Sequence, residues 1–447
     1  MGKAPATAAD SEAGGLRSIP SVEKILSSPA FAALVAAFGR EAAKVAVNGH
    51  LADLRAARGG YEEGAALDSV HHRLSSSTSS TLRRVINATG IIIHTNLGRA
   101  PIDSRIWSEA APVVSGYSNL EFDLAEGERG RRDEHLSALC ASLFGCQAAV
   151  LTNNNAAAAL LLVAAVAAKK DVIVSRGELV EIGGSFRVPD VIRQGGARLL
   201  EVGTTNRTRA ADYAAAVTRK TAAMLRVHRS NFDIVGFTET PSIEEMVATA
   251  REKRVPLLYD EGSGCIVDLS RYGFGRSETI RELIASGVDV VTCSTDKLIG
   301  ATQGGLILGS AAIVDRVRKH PLMRALRAGK ESYAVIAATL RAFATGRHEE
   351  LVPIYTMLAT PLEVLRERAA GMGGTIVESA AALGGGTTPA ETIPSVAIAV
   401  PGIAGELRAR FLALDPPIAG RISADRFTLD LRTVLPADLP AVAAALR

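Results

Sequence analysis

The amino-acid sequence predicts an α/β fold with a mainly parallel sheet. Short apolar runs alternate through the middle of the chain with longer segments of helical spacing, a pattern typical of parallel strands joined by helices. Polar residues directly follow most of these runs, at the position where such sheets bind ligands. The runs that predict strands are 149–151, 172–174, 199–202, 222–227, 255–259 and 288–291, and the helical segments between them include 209–220, 242–253 and 277–286.

Length and composition indicate the class of protein. A chain of 447 residues is long enough for two or three domains with a large core. Although 47% of the residues are hydrophobic, no run approaches the ~20 apolar residues of a membrane span. The net charge of +3 is too small to indicate nucleic-acid binding by itself. Because the start of the chain lacks the charged-then-apolar layout of a signal peptide, we expect a cytoplasmic protein.

The cysteines agree with that location. The chain has four of them, Cys140, Cys146, Cys265 and Cys293, without a CxxC pair or a His/Cys spacing of the kind that binds metals. We therefore expect buried thiols in a reducing compartment and no metal site.

The first 80 residues predict a tail and a small helical domain. Residues 1–16 are mostly small or polar, which favours a disordered tail. Helical spacing begins near Ser18, with Ser21 as the cap of a first helix and Ser28-Pro29 at the start of a second. A Ser-rich segment, 75–80, predicts a linker, so the domain and its linker are 17–80. The charge of its helices fits ordinary solvated faces as well as a nucleic-acid contact.

Lys297 is the first candidate for chemistry. It follows the strand predicted at 288–291 and lies among small residues, with Ser294 and Asp296 before it and Gly300 after it. An amine held at a strand end, away from water, can form a Schiff base with an aldehyde cofactor. The alternative is a surface lysine in a Gly-rich loop.

Polar residues at two other strand ends are placed to assist such a cofactor. Asp260 follows the strand at 255–259 and lies 297 − 260 = 37 residues before Lys297. A buried carboxylate there can keep a pyridine nitrogen protonated, although it can also cap a loop. His228 and Asn231 follow the strand at 222–227 and are predicted to touch the cofactor's ring or hydroxyl. A structural histidine is the alternative for His228.

Three arginines and an asparagine run are candidates for anion binding. Asn153, Asn154 and Asn155 lie between a strand and an Ala-rich helix, where backbone N–H groups suit a phosphate and where Asn is also a common helix cap. Arg99 ends a polar loop, and Arg324 and Arg327 share a helix face at i, i+3. Each arginine can hold an oxyanion in its planar fork, or it can be an ordinary surface residue.

The end of the chain predicts a smaller domain. A run at 306–308 gives one more strand, helices dominate from about residue 340, and strands are predicted at 375–377, 395–400 and 427–431. Gly384-Gly385-Gly386 and Pro416-Pro417 are read as turns between them. We therefore expect a large domain at 81–335 and a small α+β domain at 336–447.

Several stretches together resemble the bacterial selenocysteine synthases, the L-seryl-tRNA(Sec) selenium transferases. They are, in order, RRVINATGIIIHTNLGRAP, YSNLEFDLAEGERGRRDEH, TNNNAAA, SRGELVEIGGSFR, GTTNRT, DEGSG, STDKLIG and LDLRTV. The resemblance runs from about residue 18 to 434. Two stretches depart from the family pattern: LIGATQGG stands where LLGGPQAG is usual, and VHRSN, with Arg229, stands for VHTSN. Both departures keep the reactive residues and affect only the expected loop geometry.

The resemblance implies a fold-type-I enzyme that uses pyridoxal 5'-phosphate. It implies an N-terminal helical domain that engages the tRNA and a homo-oligomer built as a ring of dimers, expected to be a decamer. By position, Lys297 is the Schiff-base lysine, Asp260 the partner of the pyridine nitrogen, and Asp296 the acidic neighbour implicated in catalysis. The cofactor-binding set is completed by Asn153, Asn154, Asn155, His228, Asn231 and Ser294, and the selenophosphate-binding set is Arg99, Arg324 and Arg327.

The reaction implied is replacement of the β-hydroxyl of tRNA-bound serine by selenium. Elimination gives a dehydroalanyl-tRNA, to which selenophosphate delivers selenium. Two alternatives remain from the sequence. One is a related enzyme, such as a cysteine desulfurase or a lyase, that acts on a free small amino acid. The other is a tRNA-binding protein with a degenerate site, which the presence of Lys297 and Asp260 disfavours.

Overall fold

The structure is a computed structural model that describes residues 19–78, 80–182, 186–388 and 391–447. The tail predicted at 1–16 lies outside these residues. The chain forms two compact units, of which the first ends at Arg84 and the second comprises Val85–Arg447. Within the described residues, no helix is long and apolar enough to cross a membrane.

The first unit is helical. Its α-helices are α1 (Val22–Leu26), α2 (Ala32–Phe38), α3 (Arg40–Ala56) and α4 (Glu63–Thr78). Ser21 caps α1 by accepting a hydrogen bond from the backbone N–H of Lys24, as the sequence predicts. Gly39, with φ of 82°, separates α2 from α3 because a left-handed residue cannot continue a helix. Apolar residues of these four helices, including Leu34 and Leu51, form one core.

The prediction of a linker at 75–80 is wrong for residues 75–78. Helix α4 continues through Ser75 to Thr78. Ala66, Val70 and Leu74 recur every four residues and are buried in the core of the unit. This packing outweighs the weak helix propensity of serine, and the Thr78 hydroxyl donates to the carbonyl of Leu74 at 2.7 Å.

The second unit is organised around a seven-stranded sheet. The strands of this unit up to residue 309, seven of which form the sheet, are β1 (Ile86–Asn87), β2 (Phe122–Asp123), β3 (Glu128–Arg129), β4 (Ala148–Thr152), β5 (Asp171–Ser175), β6 (Glu181–Ile182), β7 (Phe186–Arg187), β8 (Arg198–Val202), β9 (Thr221–Val227), β10 (Leu257–Gly262), β11 (Val290–Ser294) and β12 (Gly305–Gly309). The sheet order is β4-β12-β11-β10-β9-β5-β8. Only β12 runs against its neighbours; the pairs β11-β10, β10-β9, β9-β5 and β5-β8 are parallel.

Both faces of this sheet are covered by helices. They are α5 (Ser104–Ser115), α6 (Glu134–Phe144), α7 (Asn155–Ala167), α8 (Val188–Gln194), α9 (Ala210–Ala216), α10 (Ile243–Lys253), α11 (Ile280–Ser286), α12 (Ala311–Lys319), α13 (Leu322–Leu326) and α14 (Lys330–Ala344). Alternate strand residues enter opposite cores: Leu257 and Tyr259 pack with α6, α10 and α14, whereas Leu258 packs with α7, α8 and α12. The predicted α/β class with a mainly parallel sheet is confirmed.

The end of the chain adds helices and a second sheet. These helices are α15 (His348–Leu351), α16 (Pro353–Ala359), α17 (Leu362–Ala370), α18 (Ala404–Leu412) and α19 (Leu439–Ala445). The strands β13 (Thr375–Ala382), β14 (Thr392–Val400), β16 (Arg421–Ser423) and β17 (Arg426–Asp430) form an antiparallel sheet, and β15 (Ile418–Ala419) pairs with β1. The expected domain boundary at 335/336 falls inside α14.

Candidate active site

The carboxyl ends of β4, β9, β10 and β11 meet at one edge of the sheet, because these strands share a direction. A cavity of about 510 Å³ opens there, a size typical of small-ligand sites. It contains nine of the residues singled out in the sequence: Arg99, Asn154, Asn155, His228, Asn231, Asp260, Ser294, Asp296 and Lys297. The order of strands in the sheet therefore brings together positions that are far apart in the chain.

The amine of Lys297 lies between two backbone carbonyls. Its Nζ donates to the carbonyl oxygen of Gly262 at 3.1 Å and to that of Gly386 at 3.4 Å. Burial lowers the pKa of Lys297, while the carboxylates of Asp260, Glu261 and Asp296 act in the opposite direction. The lowered pKa increases the fraction of neutral amine, which is the form that attacks an aldehyde.

Asp260 is held in place by two donors and keeps one oxygen available. Its Oδ1 accepts from Asn155 Nδ2 at 2.8 Å and from the Thr292 hydroxyl at 2.9 Å. No described residue donates to its Oδ2, although Asp260 lines the cavity. Burial raises the pKa of Asp260, and the two donors and the charge of Lys297 oppose this change. A cationic N–H group facing Oδ2 would favour the ionised carboxylate further.

The start of α7 provides backbone donors. Asn154 caps the helix, since its side chain accepts from the N–H of Ala157 at 2.8 Å. Among the described residues, no acceptor contacts the N–H groups of Asn155 and Ala156, and both residues line the cavity. Unsatisfied N–H groups at a helix start favour an anion. The three predicted asparagines thus have different surroundings, and Asn153 is absent from the lining: its backbone N–H donates to the carbonyl of Leu326.

His228 and Asn231 follow β9 in the chain and also line the cavity. Burial and the nearby Lys297 lower the pKa of His228, so its ring is neutral near pH 7. Its Nδ1 is buried and has no partner among the described residues, which leaves it free for a ligand group. The side-chain amide of Asn231 is already engaged, because it donates to the carbonyl of Glu181 at 2.6 Å.

Arg99 and Asp296 form an ion pair at the cavity wall. The distance from Arg99 Nη1 to Asp296 Oδ2 is 3.0 Å. The Asp296 side chain is 10% exposed, whereas the Arg99 side chain is 37% exposed, so the guanidinium retains donors that face solvent. Gln303 Nε2 lies 3.5 Å from the same carboxylate oxygen.

The other two predicted arginines lie outside this cavity. Arg327 Nη1 contacts Glu121 Oε1 at 3.1 Å, and Arg132 contacts the same oxygen at 2.7 Å. The side chain of Arg324 is exposed and pairs with no described residue. The backbone of Arg327 nevertheless bridges to Thr152, beside the loop that begins α7.

Several cavity residues were not expected from the sequence. They are Thr95, Gly262, Gln303, Gly385 and Gly386, and Thr292, which does not line the cavity, contacts Asp260 through its hydroxyl. The sequence could have indicated Thr292, because this residue lies two positions before Ser294 in β11 and therefore projects from the same face of the strand. The two late glycines, by contrast, were interpreted only as a turn.

This set of residues fits a pyridine aldehyde that carries a phosphate. Lys297 supplies the amine, Asp260 Oδ2 an acceptor for a ring N–H, and the start of α7 the phosphate donors. In the described part of the chain, no cluster of His, Cys, Asp and Glu is arranged to hold a metal ion.

Comparison with known proteins agrees with the motifs. The family model described as L-seryl-tRNA selenium transferase matches residues 85–435, and the model described as selenocysteine synthase N terminal matches residues 16–55. An L-seryl-tRNA(Sec) selenium transferase of Geobacter sulfurreducens is 46% identical, covering 96% of this chain and 98% of the relative. One of Hyphomonas neptunium is 41% identical, covering 97% and 98%.

Among solved structures, a D-glucosaminate-6-phosphate ammonia-lyase superposes with a TM-score of 0.60. It is 23% identical and the match covers 82% of this chain and 95% of that one, so the likeness concerns the fold. The matches to the family models and to full-length relatives decide the assignment. The chain belongs to the L-seryl-tRNA selenium transferase family.

Proposed function

We propose that this protein converts L-seryl-tRNA(Sec) to L-selenocysteinyl-tRNA(Sec), with pyridoxal 5'-phosphate bound at Lys297 and selenophosphate as the selenium donor. The overall reaction exchanges the serine hydroxyl for selenium and releases phosphate. The family assignment supports the substrate and the product. The observation that carries the chemistry is the position of the Lys297 amine in one cavity with Asp260 and with the free N–H groups of α7.

Each cofactor-binding residue has a defined task. The N–H groups of Asn155 and Ala156 would bind the phosphate, and Asp260 Oδ2 would accept a hydrogen bond from the ring N–H and so keep the ring nitrogen protonated. Asn155 and Thr292 orient Asp260 through its other oxygen. The ring of His228, whose Nδ1 has no partner among the described residues, would contact the cofactor. When bound, pyridoxal phosphate withdraws electrons from the substrate's α-carbon, which makes the α-proton acidic.

Lys297 acts as the base. With the substrate's amino group on the cofactor, the amine of Lys297 would be free to take the α-proton, and its lowered pKa increases the fraction of neutral amine. The β-hydroxyl would then leave as water, with the proton that Lys297 has taken from the α-carbon. Asp296, buried against Arg99, keeps the guanidinium at the cavity wall.

Arg99 binds the selenophosphate anion through the donors that Asp296 leaves free. Arg324 and Arg327 complete this role from a neighbouring copy in a ring of dimers. Two observations support that arrangement: both side chains lie outside the cavity of their own chain, and Arg324 is exposed and pairs with no described residue. We keep the decamer expected from the resemblance as part of this proposal.

The helical unit that ends at Arg84 binds the tRNA, a role supported by the match of residues 16–55 to the selenocysteine synthase N-terminal model. We place the reaction in the cytoplasm. All four cysteines are free and buried, as expected for a protein of a reducing compartment.

The direct test is product formation. Purified protein is incubated with pyridoxal phosphate, seryl-tRNA(Sec) and selenophosphate, and the amino acid released from the tRNA is identified by mass spectrometry. We expect selenocysteine with the wild-type protein and with Lys220→Ala, which alters an exposed lysine. We expect none with Lys297→Ala. Product from Lys297→Ala, or turnover of free serine in preference to seryl-tRNA, would refute the proposal.

A further inference from the structure

The loop between β13 and β14 contains three consecutive glycines, Gly384–Gly386. Gly386 is buried, and its carbonyl is one of the two acceptors of the Lys297 amine. The other acceptor is the carbonyl of Gly262, which is the last residue of β10. The amine is thus held between the large sheet and a loop from the end of the chain.

A side chain at Gly386 would displace the amine end of Lys297. A Cβ placed there would lie 2.5 Å from Lys297 Nζ and 2.8 Å from Lys297 Cε, well inside the ~3.5–4.0 Å of ordinary non-bonded contact. At Gly385 a Cβ would lie 3.6 Å from a methyl carbon of Thr95, which is an ordinary contact. The close approach to the lysine is therefore specific to one glycine of the three.

The loop is also fixed in place. The N–H of Ile93 donates to the carbonyl of Leu383 at 2.7 Å, and that of Ile92 donates to Ala382 at 2.9 Å. The hydroxyl of Thr387 donates to the carbonyl of Gly384 at 2.8 Å. The first two bonds connect the start of the glycine run to Ile92 and Ile93, and the third closes the run on itself, which limits how far Gly386 can move from Lys297.

We propose that Gly386 is a positioning residue for Lys297. Its missing side chain admits the lysine, and its carbonyl directs the amine into the cavity. Lys297 forms a carbon–nitrogen bond with the cofactor aldehyde, with loss of water, and is released when the substrate's amine takes its place. Gly386 holds the released amine where it takes the α-proton. This role rests on the proposed function, whereas the contact itself does not.

The contact is tested with a double-mutant cycle on the cofactor-free, full-length protein. Melting temperatures are measured for Gly386→Ala, Lys297→Ala and the double variant. Gly346→Ala is the matched control, because Gly346 also has a positive φ, 69° against 87°, but has no atom near its Cβ position. Gly385→Ala adds a methyl group to the same loop without touching the lysine.

We expect Gly386→Ala to lower the melting temperature more than either control does. In the Lys297→Ala background the decrease should shrink to that caused by Gly346→Ala, since only backbone strain remains. An equal decrease in both backgrounds, or failure to fold in both, would show that Gly386 acts through its backbone alone and would overturn the proposal.

The positioning role is tested by trapping. Protein with limiting pyridoxal phosphate is reduced with borohydride, and the fraction of Lys297 that carries the cofactor is measured by peptide mass spectrometry. We expect at least a tenfold smaller fraction for Gly386→Ala than for Gly346→Ala. Equal fractions would overturn the role. Absence of trapping in the wild-type protein would instead refute the proposed function, while the melting temperatures still decide the contact.

Discussion

Lys297 and Asp260 illustrate how single residues obtain their chemistry from their surroundings. Both are drawn away from water at the end of the sheet, which disfavours their charged forms. The two carbonyl acceptors of Lys297 and the two donors of Asp260 partly compensate. The site therefore holds a reactive amine and an oriented carboxylate before any ligand binds.

The lowered pKa of Lys297 has a consequence for stability. The unfolded chain binds a proton at this lysine up to about pH 10.4, whereas the folded chain releases it at lower pH. Stability therefore rises with pH between the two pKa values. Lys297→Met removes this effect, so the free energy of unfolding of the cofactor-free wild type, minus that of the variant, should increase towards pH 10. Parallel curves from urea titrations would contradict the lowered pKa.

A second prediction concerns Asp260. Asp260→Asn keeps the shape of the side chain but removes the charge that faces the ring nitrogen, and a hydrogen bond to a charged group contributes about 1.5–3 kcal/mol. We expect pyridoxal phosphate to bind roughly 10- to 150-fold more weakly. Asp190→Asn, which alters an exposed carboxylate on α8, is the control. Unchanged affinity measured by fluorescence titration would argue against the role of Asp260.

The sequence could predict these two residues but not their neighbours. Asp260 and Lys297 each follow a short apolar run, and strand ends are where α/β sheets bind ligands. The sequence could not assign separate roles to the three asparagines. The residue at which α7 begins decides that Asn154 caps the helix and that Asn155 contacts Asp260. Gly386 could not be predicted, since its contact joins residues 89 positions apart.

At the scale of elements, a buried ion pair fixes the end of β9 next to His228. Glu178, in the short 3-10 helix after β5, accepts from Arg226 Nε at 2.7 Å and from the N–H of Val227 at 3.1 Å. Arg226 also donates to the carbonyl of Pro241 at 2.9 Å. Glu178 and Arg226 are 4% and 8% exposed. Their partners are therefore essential, since a lone buried charge is highly unfavourable.

Removing one partner of this pair should be severe. We expect Arg226→Met to lower the free energy of unfolding by about 3–5 kcal/mol, because the Glu178 carboxylate is left buried without its cation. Adding Glu178→Gln should restore much of the loss. Arg193→Met breaks an exposed ion pair with Asp190 and should change stability by less than about 1 kcal/mol. Urea unfolding distinguishes them, and similar values for both arginines would contradict the assignment.

The elements themselves were largely predictable. Apolar runs mark β4, β5, β9, β10 and β11 because most of their residues are buried on both faces and polar loops follow them, whereas the edge strand β8 is only partly buried. The last turn of helix α4 was predicted as a linker because serine has a low helix propensity and because the buried apolar residues of this helix occur only at every fourth position. In that helix the packing of the first unit, which the sequence alone does not display, outweighs local preference.

At the scale of the whole molecule, the two compact units correspond to two proposed tasks. The unit that begins at Val85 contains every residue of the cavity. A chain that begins at Val85 should therefore still bind pyridoxal phosphate at Lys297. It should bind seryl-tRNA(Sec) more weakly than the full chain, as measured by filter binding. Equal affinity would show that the N-terminal unit does not engage the tRNA, and loss of cofactor binding would show that the units depend on each other.

The measurement that tests the central claim most directly is the visible absorption spectrum of the protein with pyridoxal phosphate during addition of seryl-tRNA(Sec). We expect a band from cofactor bound to Lys297, absent in Lys297→Ala, that shifts with seryl-tRNA(Sec) and not with free serine. A band that responds only to free amino acids would indicate an enzyme of small substrates. No band at all would contradict the assignment of Lys297.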